Sequence, residues 1–267
     1  MARWMGVPML EVSPVRAFAD NYLWLIHAPA RRGETVVVDP GDARPVQAAL
    51  EQHGLRLRAV LVTHHHPDHV GGVRELAARH GALVYGPARE SMPCAVRPLA
   101  GGDVVDLADL GLQFQVMDVP GHTAGHIAYY GHESLFCGDT LFSAGCGRLF
   151  EGTPTQMLES LDRISALPDG TRIYCAHEYT LANLRFAAAV EPGNAAVLET
   201  LEATLQLRER DAITLPARLG GERHINPFLR CREPAVIAAA EAHAGRKLPG
   251  AVDVFATVRA WKDGFRA

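Results

Sequence analysis

The sequence predicts a mixed α/β chain in which strands and helices alternate over the first part and helices alone follow. Three observations predict this. Apolar, β-branched-rich runs recur through the N-terminal half, helical patterns fall between them, and after about Thr180 strand signals give way to amphipathic helices.

Taken in order, the predicted strands are Tyr22–His27, Thr35–Asp39, Ala59–Thr63, Leu83–Tyr85, Gln113–Val119, Ile127–Tyr130, Ser134–Cys137 and Arg172–Cys175. Each is a short apolar run bounded by turn residues, and Val, Ile, Tyr and Phe fit a pleated surface. The first predicted helices are Arg44–His53, Val70–His80, stopped by Gly81, and Pro154–Leu167, where Thr153 can cap and Pro154 suits the first turn. Hairpin-like pairs mixed with helices fit sheet layers covered outside by helices. Ala195–Arg210, Pro234–His243 and Val252–Phe265 show helical spacing of apolar residues and form the second region. No repeat, low-complexity tract or linker separates the two regions.

Composition excludes several functions. Of 267 residues, 48% are hydrophobic, enough for a sizeable core, and 26 Lys and Arg against 30 Asp and Glu leave a formal charge of −4. That balance offers a nucleic-acid partner no footing. No run reaches membrane-spanning length, and Gly6, Pro8 and Glu11 interrupt the N-terminal apolar stretch before it could serve as a signal peptide. Five scattered cysteines without CxxC spacing make no disulfide framework. A cytoplasmic protein is expected.

The chemistry concentrates in Leu61–Gly72, LVTHHHPDHVGG. Side chains alternate along a strand, so His64 and His66 project together from a strand end while His65 points away. Pro67 turns the chain into a helix with Asp68 and His69 at its mouth. A solvated polar turn is the bland alternative, but HxHxDH fixed to a strand end is far more restrictive than a histidine-rich loop. His122, Asp139 and His177 each follow another strand's carboxyl end, where a rigid scaffold holds functional loops. Together these are five imidazoles and two carboxylates. One open catalytic zinc takes about three protein ligands, so the surplus implies two ions with Asp139 as bridge. His64, His66 and His122 would serve one, and Asp68, His69 and His177 the other. His/Asp ligation suits zinc, with iron or manganese as other occupants. Asp39 reads equally as a strand-end turn or as a group orienting a ligand histidine, and His126 as a supporting or core histidine. Cys137 and Cys175 read as small buried hydrophobes rather than thiolate ligands, and Gly71-Gly72 as a turn.

THHHPDH (63–69), PGHTAGH (120–126), CGDTLF (137–142) and CAHEYT (175–180) resemble the metallo-β-lactamase superfamily. AFADNYLWLI (17–26), GCGRLFEGT (145–153), NPFLR (226–230) and VRAWKDGF (258–265) narrow the resemblance to its glyoxalase II family, the hydroxyacylglutathione hydrolases. The resemblance implies an αββα sandwich over residues 1–178, the catalytic domain, and a helical glutathione-binding domain over 179–267. It implies that the seven positions hold two divalent metal ions. Arg148 and Tyr179 would bind substrate near the ions, and Arg259 and Lys262, three apart on one helix face, would hold the glycine carboxylate of glutathione. Phe150 departs from the tyrosine of many relatives and cannot donate a hydrogen bond.

The implied activity is hydrolysis of S-(2-hydroxyacyl)glutathione thioesters, S-lactoylglutathione yielding glutathione and lactate in methylglyoxal detoxification. Asp68 carries the catalytic role by ligating and orienting the attacking water. A thiol ionises near pH ~8.5, so the leaving group needs no strong general acid, and the motifs contain none. A monomer acting on a small-molecule thioester is expected. The rivals are a glutathione persulfide dioxygenase with one iron and a catalytically silent metal- or glutathione-binding module.

Overall fold

The computed structural model describes residues 10–266; residues 1–9, most of the stretch weighed above as a signal peptide, lie outside them. The chain divides into two compact units, one comprising residues up to Asp118 with Thr123–Gly138, the other Val119–His122 with Asp139 onward.

The first unit begins with a six-stranded sheet of β1 (Val12–Ala17), β2 (Asn21–His27), β3 (Glu34–Val38), β4 (Arg56–Leu61), β5 (Leu83–Pro87) and β6 (Arg97–Leu99), in that spatial order. β1, β2 and β3 pair antiparallel, whereas β3 through β6 run parallel. Parallel neighbours need a crossover, supplied by α1 (Ala43–His53) and by α2 (Pro67–Val70) with α3 (Val73–His80). Asp42 caps α1 by accepting from the Arg44 amide at 3.0 Å, and Gly54 closes it at φ 62°. Val46 and Leu50 of α1 and Val73 and Leu76 of α3 pack with Leu23, Leu25, Val37 and Val60 of the sheet. Burial on both faces explains why β2 and β3 read as continuous apolar runs rather than alternating ones.

A second sheet in this unit is a meander of β7 (Val104–Leu107), β8 (Leu112–Asp118), β9 (Ile127–Gly131) and β10 (Ser134–Gly138). β8 alternates, burying Leu112, Phe114 and Val116 on one face. The two sheets meet just beyond β4, where the Tyr129 hydroxyl donates to the Val62 carbonyl at 2.7 Å and the Ile127 amide to the Thr63 carbonyl at 3.0 Å. Those bonds fix the backbone that leads into the histidine cluster.

The second unit contains the hairpin β11 (Leu141–Phe142) and β12 (Gly145–Cys146), helix α4 (Pro154–Ser165), strand β13 (Arg172–Cys175), helices α5 (Thr180–Val190) and α6 (Ala195–Glu209), strand β14 (Ala217–Arg218), paired with β13, and helices α7 (Leu219–Ile225), α8 (Pro234–Ala244) and α9 (Ala251–Gly264). Thr153 and Gln156 form a reciprocal capping box on α4. Ala144, Leu184, Ala187, Val197 and Ile225 form one core, and Phe186, Phe228 and Phe255 are fully buried. No helix of the described residues is long and apolar enough to cross a membrane.

The structure differs from expectation in particular places. The helix expected over Val70–His80 is two, broken at Gly71-Gly72, because the chain there lies against the Asp39–Ala43 turn. A Cβ on Gly72 would sit 2.5 Å from the Ala43 nitrogen. β4 ends at Leu61, two residues early, because the Thr63 amide leaves the ladder to donate to Asp39 Oδ1 at 2.7 Å. β1 and β6 were not expected; both contain proline and both are edge strands, where a missing amide proton is tolerated.

Gly41→Ala should cost more than ~2 kcal/mol of stability, since its Cβ would fall 1.8 Å from the Asp68 carbonyl oxygen. Gly170→Ala, with nothing within 4 Å, should stay within ~0.5 kcal/mol. Urea denaturation of both variants checks the contrast.

Candidate metal centre

The seven candidate ligand positions divide between the units. His64, His66, Asp68 and His69 belong to the first, His122, Asp139 and His177 to the second.

In the first unit the segment after β4 turns His64 Nε2 towards His66 Nδ1, 3.1 Å away. His64 Nδ1 lies 3.1 Å from the Thr63 hydroxyl, and the His126 ring stacks on His64 at 4.5 Å. His69 is fully buried, with Nδ1 3.1 Å from Asp39 Oδ2 and Nε2 3.5 Å from Asp68 Oδ2. Asp68 accepts from Asn21 Nδ2 at 3.0 Å, which sets the direction of its carboxylate.

Asp39 is the organiser of this set. It is buried and holds φ 50°, a left-handed conformation that costs a non-glycine residue energy. Its carboxylate accepts from the Thr63 amide and hydroxyl, each at 2.7 Å, and faces His69 Nδ1. A ring that donates from Nδ1 carries its lone pair on Nε2. Of the two readings left open for Asp39, the structure bears out the orienting one, and it adds Asn21 and Thr63. A strand-end Asp before Pro-Gly was the only hint in the sequence.

In the second unit Asp139 Oδ2 lies 3.5 Å from His122 Nε2 and 3.4 Å from His177 Nε2. His122 is held at three points. Its Nδ1 faces the Arg148 carbonyl at 2.9 Å, its own carbonyl accepts from the Phe150 amide at 3.2 Å, and the Phe150 ring meets it edge-on at 5.2 Å. The His177 ring stacks on Tyr179 at 4.7 Å, the two planes nearly parallel.

His122 and Asp139 line a cavity of about 460 Å³ whose wall also carries Arg148, Tyr179, Arg259 and Lys262. Arg259 is buried under a Phe228 ring, donates Nη1 to the Cys146 carbonyl at 2.8 Å and Nη2 to Asp263 at 3.0 Å, and has no partner at Nε. Lys262 Nζ donates to the Ala182 carbonyl at 3.0 Å and lies over the Phe186 ring. Burial, and then the Arg259 charge, pull its ammonium down to about 8. Asp263, which sequence reasoning passed over, faces both Arg259 and Arg148, the latter at 3.7 Å. Phe150 stands 62% exposed in the same wall and offers only an apolar surface. Cys137 and Cys175 are wholly buried.

The donor types in both sets are those that bind metal ions. Imidazole nitrogens and carboxylate oxygens converge, and the opposite ring nitrogens of His69 and His122 are committed to fixed acceptors, as metal-ligating histidines require.

Comparison with known proteins agrees. The Metallo-beta-lactamase superfamily profile matches residues 20–177 and that of the Hydroxyacylglutathione hydrolase C-terminus residues 178–265. A hydroxyacylglutathione hydrolase of Nitrosomonas eutropha is 51% identical over 97% of this chain and 100% of its own length. One from Pseudomonas aeruginosa strain LESB58 is 54% identical over 96% of this chain and 100% of its own. Among solved structures, ETHE1 from Myxococcus xanthus is 32% identical with a TM-score of 0.57, over 64% of this chain and 76% of that one. From its motifs, its mixed α/β fold and these relatives, the chain belongs to the hydroxyacylglutathione hydrolase family of the metallo-β-lactamase superfamily.

Proposed function

We propose that the protein hydrolyses S-(2-hydroxyacyl)glutathione thioesters, S-lactoylglutathione giving glutathione and lactate, with two divalent ions held by His64, His66, Asp68, His69, His122, Asp139 and His177. The observation that carries this reading is the single cavity in which His122 and Asp139 share a wall with Arg148, Arg259 and Lys262. It offers metal-type donors at one place and cations for an anionic tail at another.

Bound ions would supply Lewis acidity, polarising the thioester carbonyl and bringing the pKa of water to about 7. The chain's own residues do the rest. Asp68, aligned by Asn21, accepts from the attacking water and points it at the carbonyl carbon. Arg259 offers its buried Nε, and Arg148 and Lys262 their charges, to the carboxylates of the glutathione moiety. Tyr179, held flat against His177, contributes its hydroxyl, and Phe150 an apolar contact. Residues 1–178 act as the catalytic domain and 179–267 as the helical substrate-binding domain. The same reading takes zinc as occupant, with iron or manganese following availability, and a cytoplasmic monomer without a nucleic-acid or membrane partner. The persulfide dioxygenase alternative is not favoured, since relatives matching nearly the whole chain carry the hydrolase name.

His66→Ala or Asp139→Ala should lose bound metal and at least ~100-fold in kcat/KM for S-lactoylglutathione while remaining folded. Elemental analysis beside the hydrolysis assay tests this, and wild-type turnover by a metal-free variant contradicts it. A second expectation concerns pH. A lowered lysine pKa means that the cation disappears as pH climbs through about 8, so KM should rise there with kcat little changed. In Lys262→Ala that rise should vanish; a wild-type KM flat across the range would remove Lys262 from the binding set.

A further inference from the structure

We propose that Glu222, on α7, is a positioning residue for His122 and Arg148, acting through the β11–β12 hairpin. The proposal rests on the reading of His122 as a metal ligand, but its geometry is independent of which thioester is cleaved.

The hairpin spans the interval between Asp139 and Arg148, and buried polar side chains hold its turn. Glu222, 2% exposed, accepts from the Ser143 hydroxyl at 2.8 Å and the Ala144 amide at 2.7 Å. Asn226 donates Nδ2 to the Phe142 carbonyl at 3.1 Å, the Gly145 carbonyl at 3.0 Å and Glu222 Oε2 at 3.1 Å. Asn183 donates to the Ser143 carbonyl at 3.0 Å, and Arg259 to that of Cys146 at 2.8 Å. Ala144 is held at φ 53°, a conformation that persists in a non-glycine residue only when its surroundings over-determine it.

A buried carboxylate is a costly way to fill space. Desolvation pushes Glu222 up to about 7, a burden that packing alone would never require. What the clamp delivers is the return leg of the hairpin. The Gly147 amide closes on the Thr140 carbonyl at 3.2 Å, and a Cβ on Gly147 would fall 2.0 Å from the Asp139 carbonyl oxygen, so the two legs lie in direct contact. The next residue, Arg148, puts its carbonyl 2.9 Å from His122 Nδ1 and its side chain into the cavity wall. Glu222 touches neither, yet it sets where the acceptor for the His122 proton stands. That acceptor decides which nitrogen of His122 carries the lone pair.

Zinc affinity of the full chain, measured by chelator competition, and the His122 tautomer, read by ¹⁵N NMR, test the assignment without using activity. Glu222→Ala should weaken zinc binding by ~10-fold or more and depopulate the Nδ1-protonated form of His122. Glu222→Gln should stay within ~3-fold, because an amide can accept from Ala144 and donate to the Ser143 hydroxyl. Wild-type zinc affinity and tautomer in a folded Glu222→Ala, or equal damage in Glu222→Gln, overturns the proposal. Should Glu222→Ala fail to fold, Ser143→Ala decides: a weakened zinc affinity supports the clamp and an unchanged one overturns it. Absence of thioester hydrolysis by wild type would sink the proposed function and leave both readouts standing.

Discussion

An imidazole serves a cation through one nitrogen only, and it is useful there only if the other nitrogen's proton has a fixed acceptor. Two such acceptors organise this molecule. The Asp39 carboxylate faces His69 Nδ1, and the Arg148 carbonyl faces His122 Nδ1. Much of the surrounding structure follows from keeping them in place. Asp39 stands at the end of β3 in a strained left-handed conformation and holds Thr63 as well, so the backbone entering His64–His66 is tied to the neighbouring parallel strand. Gly41 and Gly72 let the two turns approach backbone to backbone, closer than any side chain would permit. In the second unit the acceptor is a main-chain carbonyl, so its position depends on a hairpin, and the hairpin on buried polar groups.

The seven candidate positions are legible because each belongs to a local motif at a strand end. His64, His66, Asp68 and His69 lie within six residues, and His122, Asp139 and His177 each follow an apolar run. Of the groups that support them, Asp39 and His126 could be picked out from their motifs, whereas distant ones could not. Asn21 reaches Asp68 across 47 positions, and Glu222 reaches Ser143 across 79, and no periodicity encodes contacts of that separation. The same reason limits the fold. Strongly apolar central strands were legible, whereas β1 and β6 contain proline and β11, β12 and β14 are two residues long. Helix α5 was missed because its buried face includes the polar Thr180 and Asn183 while its outer face carries the apolar Leu181, Ala182, Ala188 and Ala189, which erases the amphipathic signal. Helix α7 contains Gly220 and Gly221, whose poor helix propensity hides it.

The cavity of the second unit shows how a small number of charges can be arranged for an anionic ligand at modest cost. Arg259 is buried but retains an Nε without a protein partner, and Lys262 is partly desolvated against Phe186. Asp263 faces both Arg148 and Arg259, so part of their charge is balanced internally. Cys146 lies beside Arg259, and burial nonetheless raises its thiol to about 11, which keeps the sulfur protonated and inert in the site wall.

The proposed hydrolysis requires two ions per chain at the seven histidine and aspartate positions. Electron paramagnetic resonance of the manganese-loaded full chain tests this most directly, because two ions sharing a bridging ligand couple magnetically and separate ions do not. A coupled spectrum at two manganese ions per chain is expected. Saturation at one ion per chain, or two ions showing only the spectrum of isolated manganese, would contradict it.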